Sequence, residues 1–386
     1  MAGKETKRII AEVFQELADT LETGRKASST VALTALGSEH DEKELIEAAK
    51  RAADKGISVK VIGTQPITYP GIESVLVVDA DEGHQELEAL LTKGGADAGV
   101  TMHYPFPIGV STVGRVVTPA RGKNLYLATT TGTSALSRVE ALVRNAVYGI
   151  ITAKACGIAE PTVGLLNIDG AHQAEILLRR VAENGYPIRF AESSRSDGGA
   201  IMRGNDVLAG TCDVMVMDSL TGNVLQKIFS SYHTGGNYES VGFGYGPGVG
   251  EGMDKVIMIV SRASGAPVVC GAIEFADELV RGDFQRIQAQ EFAKLKQASF
   301  DALLAEAQPQ KGSVQETVEA PEKEIVTEEI HGVEILDLEE AVQHLWKKNV
   351  YAESGMGCTG PVVMIAEARL SEAKKLLAAA GYIAEE

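Results

Sequence analysis

The sequence predicts an α/β protein in which helices cover both faces of a mostly parallel β-sheet. Three observations support this fold class: apolar runs of strand length, segments with apolar residues at helical spacing, and the regular alternation of the two along the chain. Parallel strands need crossover connections, and helices of this length supply them. The chain has 386 residues, 45% of them hydrophobic, which is enough for two cores or one large core.

The first strands and helices follow from apolar spacing and from turn residues at their ends. A strand is predicted over TVALTAL from Thr30, and a helix over Glu42–Lys55 that stops at Gly56. The same reasoning predicts strands at 57–63, 74–78 and 98–102 and a helix at 84–92.

A loop rich in proline and aromatic residues follows the strand that ends at Met102. It reads HYPFPIG over His103–Gly109. Loops at the carboxyl ends of strands line clefts in open α/β sheets, so His103 is a candidate for contact with a substrate. A rigid structural turn is the alternative interpretation.

Two segments share the order strand, polar turn, helix. The first runs from a strand at 125–128 through TTTGTS, Thr129–Ser134, into a long helix beginning at about Ala135. The second runs from a strand at 213–217 through DSLTGN, Asp218–Asn223, into a further helix. Such turns direct backbone N–H groups and the positive end of a helix dipole at one point, which favours an anion.

The polar residues of both turns are candidate anion ligands, although the same residue types also serve as simple helix caps. Arg262, at the end of a strand predicted over 255–260, is a further candidate, with a solvated arginine as the alternative. A strand predicted over 162–168 leads to His172. The candidate ligands for phosphate or substrate are Thr131, Gly132, Thr133, Ser219, Thr221, Gly222 and Arg262.

A glycine-rich segment, GGNYESVGFGYGPGVGEG at Gly235–Gly252, contains eight glycines. The spacing GxGxxG does not fit, because the sixth position is Pro247 when counted from Gly242 and Val249 when counted from Gly244. The dinucleotide-binding fingerprint is therefore unsupported, which disfavours a dehydrogenase. We predict a flexible loop beside the site or a contact between two copies of the chain.

Charge and cysteine content exclude several classes of function. The formal net charge of −17 makes nucleic acid and anionic membranes poor partners, so an anionic substrate needs local donors. The four cysteines form no CxxC pair and the seven histidines no HExxH pattern, so we predict neither a metal nor another cofactor. Without a signal peptide or a long apolar run, a cytoplasmic protein is expected.

Changes in composition divide the chain into four predicted parts. Residues 1–27 carry an amphipathic helix, and residues 28–305 form the main domain. Residues 306–329 contain seven acidic residues against two lysines, which predicts an exposed acidic linker. Residues 330–386 recover apolar periodicity and are predicted to form a small C-terminal α/β module.

Cys358 is distinct among the four cysteines. It stands in GMGCTG, which we predict to be a loop of the C-terminal module. Glycine permits close approach of backbone N–H groups, which can favour a thiolate. Cys358 is therefore a candidate catalytic nucleophile, with a structural turn as the alternative. The other three cysteines lie in apolar runs and are predicted to be small core residues: Cys156, Cys212 and Cys270.

Five segments, in order, resemble signature segments of the PlsX-type phosphate acyltransferases. They are TALGSEH, VRNAVYGIITAKACGI, TVGLLNI, DVMVMDSLTGNVLQK and SRASGAPVVCGAIEFA, and the similarity spans Val31–Asp283. Each segment alone is a weak signal, whereas the ordered set is specific. The resemblance implies the fold of PlsX, phosphotransacetylase and isopropylmalate dehydrogenase, and formation of an acyl phosphate from an acyl thioester and inorganic phosphate.

The chain departs from that family at two positions. The family carries an aspartate where this chain has Thr34, and a lysine shortly after LLNI, where this chain has no cation before Arg179. With its additional terminal segments, the whole chain resembles the PlsX-like subunits of component C of the glycine, sarcosine and betaine reductases of amino-acid-fermenting anaerobes. That resemblance implies release of acetyl phosphate, a partner subunit of ketoacyl-synthase type, an upstream selenoprotein component A, and an oligomeric complex.

The implied chemistry assigns roles to the candidate residues. A phosphate oxygen attacks a thioester carbonyl, and because a thiolate leaves readily, positioning and oxyanion stabilisation dominate. Asn223 and the two polar turns are candidate donors to the phosphate and the oxyanion, and His103 or His172 is a candidate acceptor of the phosphate proton. Two alternatives stay open: a free-standing phosphate acyltransferase that uses acyl carrier protein or coenzyme A, and a non-catalytic scaffold subunit.

Overall fold

The structure is a computed structural model. It describes residues 29–194, 198–307, 318, 320–333, 337–357 and 360–383. The chain divides into two compact units, Met1–Ala307 and Gln308–Glu386. The predicted N-terminal helix lies outside the described residues. Glu306 belongs to the last helix of the first unit and Glu328 to the first strand of the second, so the segment predicted as a linker carries regular structure at both of its ends.

Twelve strands form one sheet in the first unit. Their bounds are β1 Thr30–Thr34, β2 Ser58–Gly63, β3 Ile72–Leu76, β4 Ala98–Thr101, β5 Val110–Val117, β6 Asn124–Thr133, β7 Thr162–Leu166, β8 Arg189–Phe190, β9 Ile201–Met202, β10 Val214–Val216, β11 Gly246–Val249 and β12 Val256–Ile259.

Nine α-helices of the first unit lie within the residues that the structure describes. They are α1 Glu42–Asp54, α2 Ala80–Thr92, α3 Arg138–Ala155, α4 Ala171–Glu183, α5 Gly204–Ala209, α6 Ser219–Ser231, α7 Ala266–Arg281, α8 Phe284–Gln297 and α9 Phe300–Ala307. A short 3-10 helix follows α6 at Tyr232–Thr234.

The sheet is built from two parallel halves that run in opposite directions. The strand order is β3-β2-β1-β4-β12-β11-β5-β6-β10-β7-β8, with β9 also paired to β7. Strands β1 to β4 and β12 are mutually parallel, as are β6 to β10, and antiparallel pairings of β11 and β5 join the halves. The carboxyl ends of β6, β7 and β10, with the start of α6, define the α6 end. Those of β1, β4 and β12, with the start of α7, define the α7 end.

Helices cover both faces of this sheet, as the sequence predicts. Alternating side chains of one strand point to opposite faces, so Leu33 packs with Leu45 of α1 whereas Ala32 packs with Leu87 of α2. The large core between the sheet and helices α1, α3, α4 and α7 also contains Phe275. Helices α5 and α6 close a second core on the opposite face.

The first predicted polar turn is a strand in the structure. Strand β6 continues to Thr133 by pairing with β5, and α3 begins only at Arg138. Thr129 and Thr130 are extra residues in this pairing, since Thr112 lies opposite Thr131 and Val113 opposite Ala128. Threonine is β-branched and favours extended backbone, which explains why these residues remain in the strand.

The glycine-rich segment is partly a central strand, so its prediction as a flexible loop or a dimer contact is wrong for β11. Gly246–Val249 is fully buried between β12 and β5. Gly246 has φ +88°, and a Cβ there would lie 1.8 Å from the Val113 carbonyl oxygen. A Cβ on Gly248 would lie 2.4 Å from the ring of Phe106. These glycines allow close backbone approach inside the sheet.

The second unit contains a three-stranded antiparallel sheet in the order β13-β15-β14, with β13 Glu328–Ile330, β14 Ala352–Gly357 and β15 Gly360–Ile365. Helices α10 Leu338–Lys347 and α11 Leu370–Ala379 contribute apolar side chains to its core, among them Leu345 and Leu377. The glycines before Cys358 belong to β14 and not to the predicted loop. Among the residues that the structure describes, no helix is long and apolar enough to cross a membrane.

Candidate functional site

The two polar segments singled out in the sequence meet at the α6 end. A Cβ on Gly222 would lie 1.8 Å from the Thr129 carbonyl oxygen, so the first turn of α6 rests directly on the bulge of β6. The side-chain amide of Asn223 donates to the Thr130 carbonyl oxygen at 3.3 Å. The backbone of Thr129–Thr131 and the start of α6 therefore form one continuous polar corner.

Some hydrogen-bond donors of this corner already bond to the Asp218 carboxylate. Asp218 caps α6, because its carboxylate accepts from the backbone N–H of Thr221 at 2.9 Å and from the Thr221 hydroxyl at 2.7 Å. The hydroxyls of Thr131, Thr133 and Ser219 make no hydrogen bond with any residue that the structure describes. They are the side-chain donors of the corner that are free for a ligand.

Neighbouring hydroxyls hold the bulge in place. The Thr130 hydroxyl donates to the Tyr245 carbonyl oxygen at 2.6 Å and lies 2.7 Å from the hydroxyl of Thr112, and the Thr129 hydroxyl donates to the Thr112 carbonyl oxygen. The amide of Asn145 donates to the Met217 carbonyl oxygen at 3.0 Å. These buried bonds fix β6 and β10 just before the corner.

His172 lines a polar chamber at the same end of the sheet. It is the second residue of α4, is exposed, and faces a cavity of about 260 Å³. The residues that line the cavity are Asn167, His172, Glu175, Gly198, Gly199, Ala200, Ile201 and Arg203.

An apolar groove of about 660 Å³ runs along α6. It begins beside Thr221 and reaches Phe229 and Tyr232 at the other end of the helix. Chamber and groove share neighbouring chain positions, since Asn167 and Arg203 line the chamber while Leu166 and Gly204 line the groove.

Arg262 and His103 lie at the opposite, α7 end. Arg262 follows β12 and is exposed, and its carbonyl oxygen accepts from the backbone N–H of Glu39 at 2.9 Å. His103 follows β4 and is exposed, with its ring 6.2 Å from that of His84. Because β12 and β4 run opposite to β6 and β10, neither residue meets the polar corner, and the structure does not bring the predicted phosphate ligands into one group.

Comparison with known proteins gives the family. The model of a family described as "Fatty acid synthesis protein" matches residues 29–364. The chain is 52% identical over 381 residues to "Glycine/sarcosine/betaine reductase complex component C subunit alpha" of Peptoclostridium acidaminophilum, covering 98% of this chain and 99% of that relative. The chain belongs to the fatty acid synthesis protein family.

The chain is also similar, at lower identity, to proteins named phosphate acyltransferase. The chain is 28% identical over 243 residues to the "Phosphate acyltransferase" of Thermobifida fusca, covering 52% of this chain and 66% of that relative. A crystal structure of a branched-chain phosphotransacylase from Enterococcus faecalis V583 aligns with 65% of this chain and 99% of its own, with 19% identity and a TM-score of 0.45.

Lys227 of α6 is a cation that the sequence did not single out. Lys227 donates to Glu239 at 2.9 Å and to the Ser261 hydroxyl at 3.0 Å. Burial alone would lower the pKa of Lys227, but the hydrogen bond with Glu239 raises it, so the ammonium stays charged. Its position one helical turn after Asn223, at the end of DVMVMDSLTGNVLQK, was the available signal.

Two further residues, Asn167 and Arg203, reach the chamber without a comparable sequence signal. Asn167 follows β7 directly, and Arg203 follows β9, a strand of only two residues that the apolar pattern does not predict. Their proximity depends on the pairing of β7 with β9, which places Leu166 opposite Met202.

The three cysteines that the structure describes stay protonated at neutral pH and are therefore poor nucleophiles. Cys212 and Cys270 are buried and Cys156 packs against the core, as predicted. Burial raises the pKa of each of these thiols to about 12. Cys358 lies outside the described residues. No group of three or more metal-ligating side chains is found among the described residues.

Proposed function

We propose that this chain is the subunit of component C of a glycine, sarcosine or betaine reductase that releases acetyl phosphate from an enzyme-bound acetyl thioester and inorganic phosphate. The observation that carries the proposal is the 52% identity to the component C alpha subunit, which extends over 98% of this chain. The relatives named phosphate acyltransferase supply the reaction class.

The reaction transfers an acetyl group from sulfur to oxygen. A phosphate oxygen attacks the thioester carbonyl carbon and forms the new C–O bond, while the charge moves onto the carbonyl oxygen. The C–S bond then breaks, and its electron pair leaves on sulfur as a thiolate. Since a thiolate is a good leaving group, the protein contributes mainly by positioning phosphate and by donating hydrogen bonds to the oxyanion.

The polar corner supplies the donors in this proposal. The free hydroxyls of Thr131, Thr133 and Ser219 face the reacting groups, and Asn223, whose amide has a second N–H, donates to the oxyanion. Gly132 and Gly222 keep the corner compact, and the Thr221 side chain fixes the capping Asp218. A Cβ on Gly132 would lie 2.7 Å from the Val110 carbonyl oxygen, which supports this role for Gly132.

His172 is the proton acceptor in our proposal, because it lies at the α6 end. His103 and Arg262 lie at the α7 end, so they serve this site only through a movement that brings the two ends together. We assign them no step in the reaction.

Cys358 carries the acetyl group on this chain in our proposal. Substitution Cys358→Ala should abolish acetyl phosphate formation and the arsenate-dependent hydrolysis of acetyl phosphate by the reconstituted complex. Unchanged turnover would assign the acyl carrier to the partner subunit instead, and mass spectrometry of the complex after incubation with acetyl phosphate would locate the acetylated cysteine.

The proposed partners are a ketoacyl-synthase-like subunit of component C and the selenoprotein component A, acting in the cytoplasm in an oligomeric complex. The relative's name, which places it in a reductase complex, supports this part of the proposal. Co-purification of the tagged chain with both partners, and loss of acetyl phosphate formation when either is omitted, are the expected results.

The decisive experiment measures acetyl phosphate formation by the complex with Asn223→Ala. Loss of an oxyanion donor lowers turnover by about a hundredfold or more. The matched control is Asn124→Ala, an exposed asparagine at the start of β6 and away from the corner. Activity of the isolated chain with acyl carrier protein or coenzyme A thioesters would favour a free-standing acyltransferase. A complex whose turnover is unaffected by Asn223→Ala would favour a scaffold role.

A further inference from the structure

We propose that the chamber of Asn167, His172 and Arg203 binds the attacking inorganic phosphate, with Arg203 as its cation. This assignment rests on the proposed acyl transfer to phosphate. It separates the two ligands of the reaction, since phosphate lies in the chamber and the thioester carbonyl lies at the polar corner.

Among the residues that the structure describes, the charges around the chamber leave one cation without an ion pair. Glu175, which lines the chamber, accepts from Arg179 at 2.6 Å and 3.0 Å, so its charge is balanced within α4. Asp169, just outside, forms an ion pair with Arg138. The guanidinium of Arg203 is exposed to the chamber and makes no ion pair or hydrogen bond with any residue that the structure describes.

An unpaired arginine matters in a chain of net charge −17. The overall field repels an anion such as phosphate, so the anion binds only where a local cation and local donors outweigh that field. The planar guanidinium can donate two parallel hydrogen bonds to phosphate oxygens, which gives orientation as well as attraction.

The start of α4 provides a second favourable feature of the chamber. Its N-cap is Gly170, which has no side chain to cap the helix, and no acidic residue lies in the first turn. The first N–H groups of this 13-residue helix are therefore not neutralised by a carboxylate, in contrast with α6, where Asp218 occupies that place. Asn167 adds a side-chain amide from the end of β7.

The chamber also lies at the same end of the sheet as the polar corner. Strand β7 pairs directly with β10, whose carboxyl end leads into α6 and the corner. The apolar groove begins at Thr221 and extends along α6, which suits the uncharged arm of a thioester.

The proton and electron balance of the step is complete with these residues. A phosphate oxygen bonds to the carbonyl carbon, His172 accepts the phosphate proton, and the C–S electron pair leaves with sulfur. His172 later returns the proton to solvent or to the thiolate. No oxidant, reductant or metal is required.

The test compares Arg203→Met with wild type in two measurements. The first is calorimetric titration of the full chain with inorganic phosphate, and the second is the KM for phosphate in acetyl phosphate formation by the reconstituted complex. Loss of a charge-assisted contact should raise both the Kd and the KM for phosphate by about ten- to a hundredfold. Arg203→Lys, which keeps the charge, should lose less of the phosphate affinity. His172→Gln should lower kcat while phosphate binding is retained.

The matched control is Arg189→Met, because Arg189 is also exposed and lies at the start of β8, away from the chamber. Equal phosphate binding by wild type and Arg203→Met would overturn the chamber assignment, even if the complex makes acetyl phosphate. Conversely, a complex that makes no acetyl phosphate would refute the proposed function, while Arg203-dependent phosphate binding by the chain would still support the chamber. Thermal unfolding of each variant verifies that the fold is intact.

Discussion

Gly222 shows how one residue sets the distance between the two halves of the polar corner. It lies in the first turns of α6, where alanine ordinarily favours a helix by about 1 kcal/mol over glycine. Here the position of a Cβ is occupied, because the Thr129 carbonyl oxygen lies 1.8 Å from it. The close packing of α6 on β6 therefore requires glycine.

Substitution Gly222→Ala should destabilise the protein by about 1–3 kcal/mol despite the better helix propensity, because α6 must move away from the bulge. The measurement is urea unfolding, with acetyl phosphate formation as a second readout. The control is Gly204→Ala, where nothing lies within 4 Å of the new Cβ. A stabilised Gly222→Ala protein with normal activity would contradict the proposed packing.

Asp206 organises the chain beside the phosphate chamber. Its buried carboxylate accepts from the Ser193 hydroxyl, the Ser194 backbone N–H and hydroxyl, the Arg203 backbone N–H and the Thr211 hydroxyl, at 2.8–3.0 Å. Burial alone would raise the pKa of Asp206, but these donors hold the pKa well below its ordinary value. The carboxylate thereby fixes the backbone at Arg203.

The lowered pKa of Asp206 predicts the pH dependence of stability. A group with a depressed folded-state pKa stabilises the fold above its unfolded value of about 3.9. That stabilisation is lost as the pH falls through the lower, folded-state value. Asp206→Asn should cost about 1–3 kcal/mol at pH 7 and progressively less below pH 4. Urea unfolding at a series of pH values measures this, and a pH-independent difference from wild type would refute it.

At the scale of elements, β11 is a strand whose sequence does not predict a strand. Its residues are GPGV, and neither glycine nor proline favours a strand. The backbone groups of β11 nevertheless pair with β12 on one side and with β5 on the other. Since β11 and β5 join the two halves of the sheet, the glycines of β11 are needed at the centre of the fold.

Substitution Gly246→Ala should reduce stability by about 3 kcal/mol or more, because the positive φ and the contact with Val113 both oppose a Cβ. Soluble yield and the urea midpoint measure this effect. Gly252→Ala is the matched control, since it shares a positive φ but meets nothing within 4 Å. Equal losses for the two variants would attribute the effect to φ alone.

Most helices and parallel strands could be predicted from the sequence, because their apolar periodicity is strong and local. The helix over α1 and the strands β1, β2, β4, β10 and β12 are confirmed within a few residues. The pattern failed where long-range pairing decides the structure. Strand β5 was missed, and β6 runs past its expected end because β5 pairs with it to Thr133.

The candidate site was predictable only in part for the same reason. The sequence identified DSLTGN and TTTGT as polar segments, but which end of the sheet each candidate occupies depends on strand direction. Arg262 and His103 could be separated from the corner only once the antiparallel pairings of β11 and β5 were known. Arg203 reaches the chamber through the pairing of β7 with β9, which spans 36 residues between partners such as Leu165 and Ile201.

At the scale of the whole molecule, each unit closes its own hydrophobic core. Among the residues that the structure describes, the cores of the first unit lie between Val31 and Leu304, and the core of the second between Ile330 and Leu377, with Tyr382 and Ile383 packed on it. We therefore expect the first unit to fold with its own core.

A chain truncated after Ala307 should keep the twelve-stranded sheet and the phosphate chamber, because both lie in the first unit. Circular dichroism, cooperative thermal unfolding and calorimetric titration with phosphate measure this. The truncated chain lacks Cys358, so it should bind phosphate yet form no acetyl phosphate with the partner subunits. An unfolded product would contradict the independence of the units.

The reversal of direction within the sheet gives the first unit two poles, each at the carboxyl ends of a different set of parallel strands. Strands β1, β4 and β12 end on the opposite side of the sheet from β6, β7 and β10. The loop after β4 links the two sides, since the Gly109 N–H donates to the Thr133 carbonyl oxygen at 2.8 Å. A fluorophore or surface attachment at the exposed Arg262 would therefore leave the phosphate chamber accessible. That pole is the suitable anchoring point for single-molecule or biosensor measurements of ligand exchange.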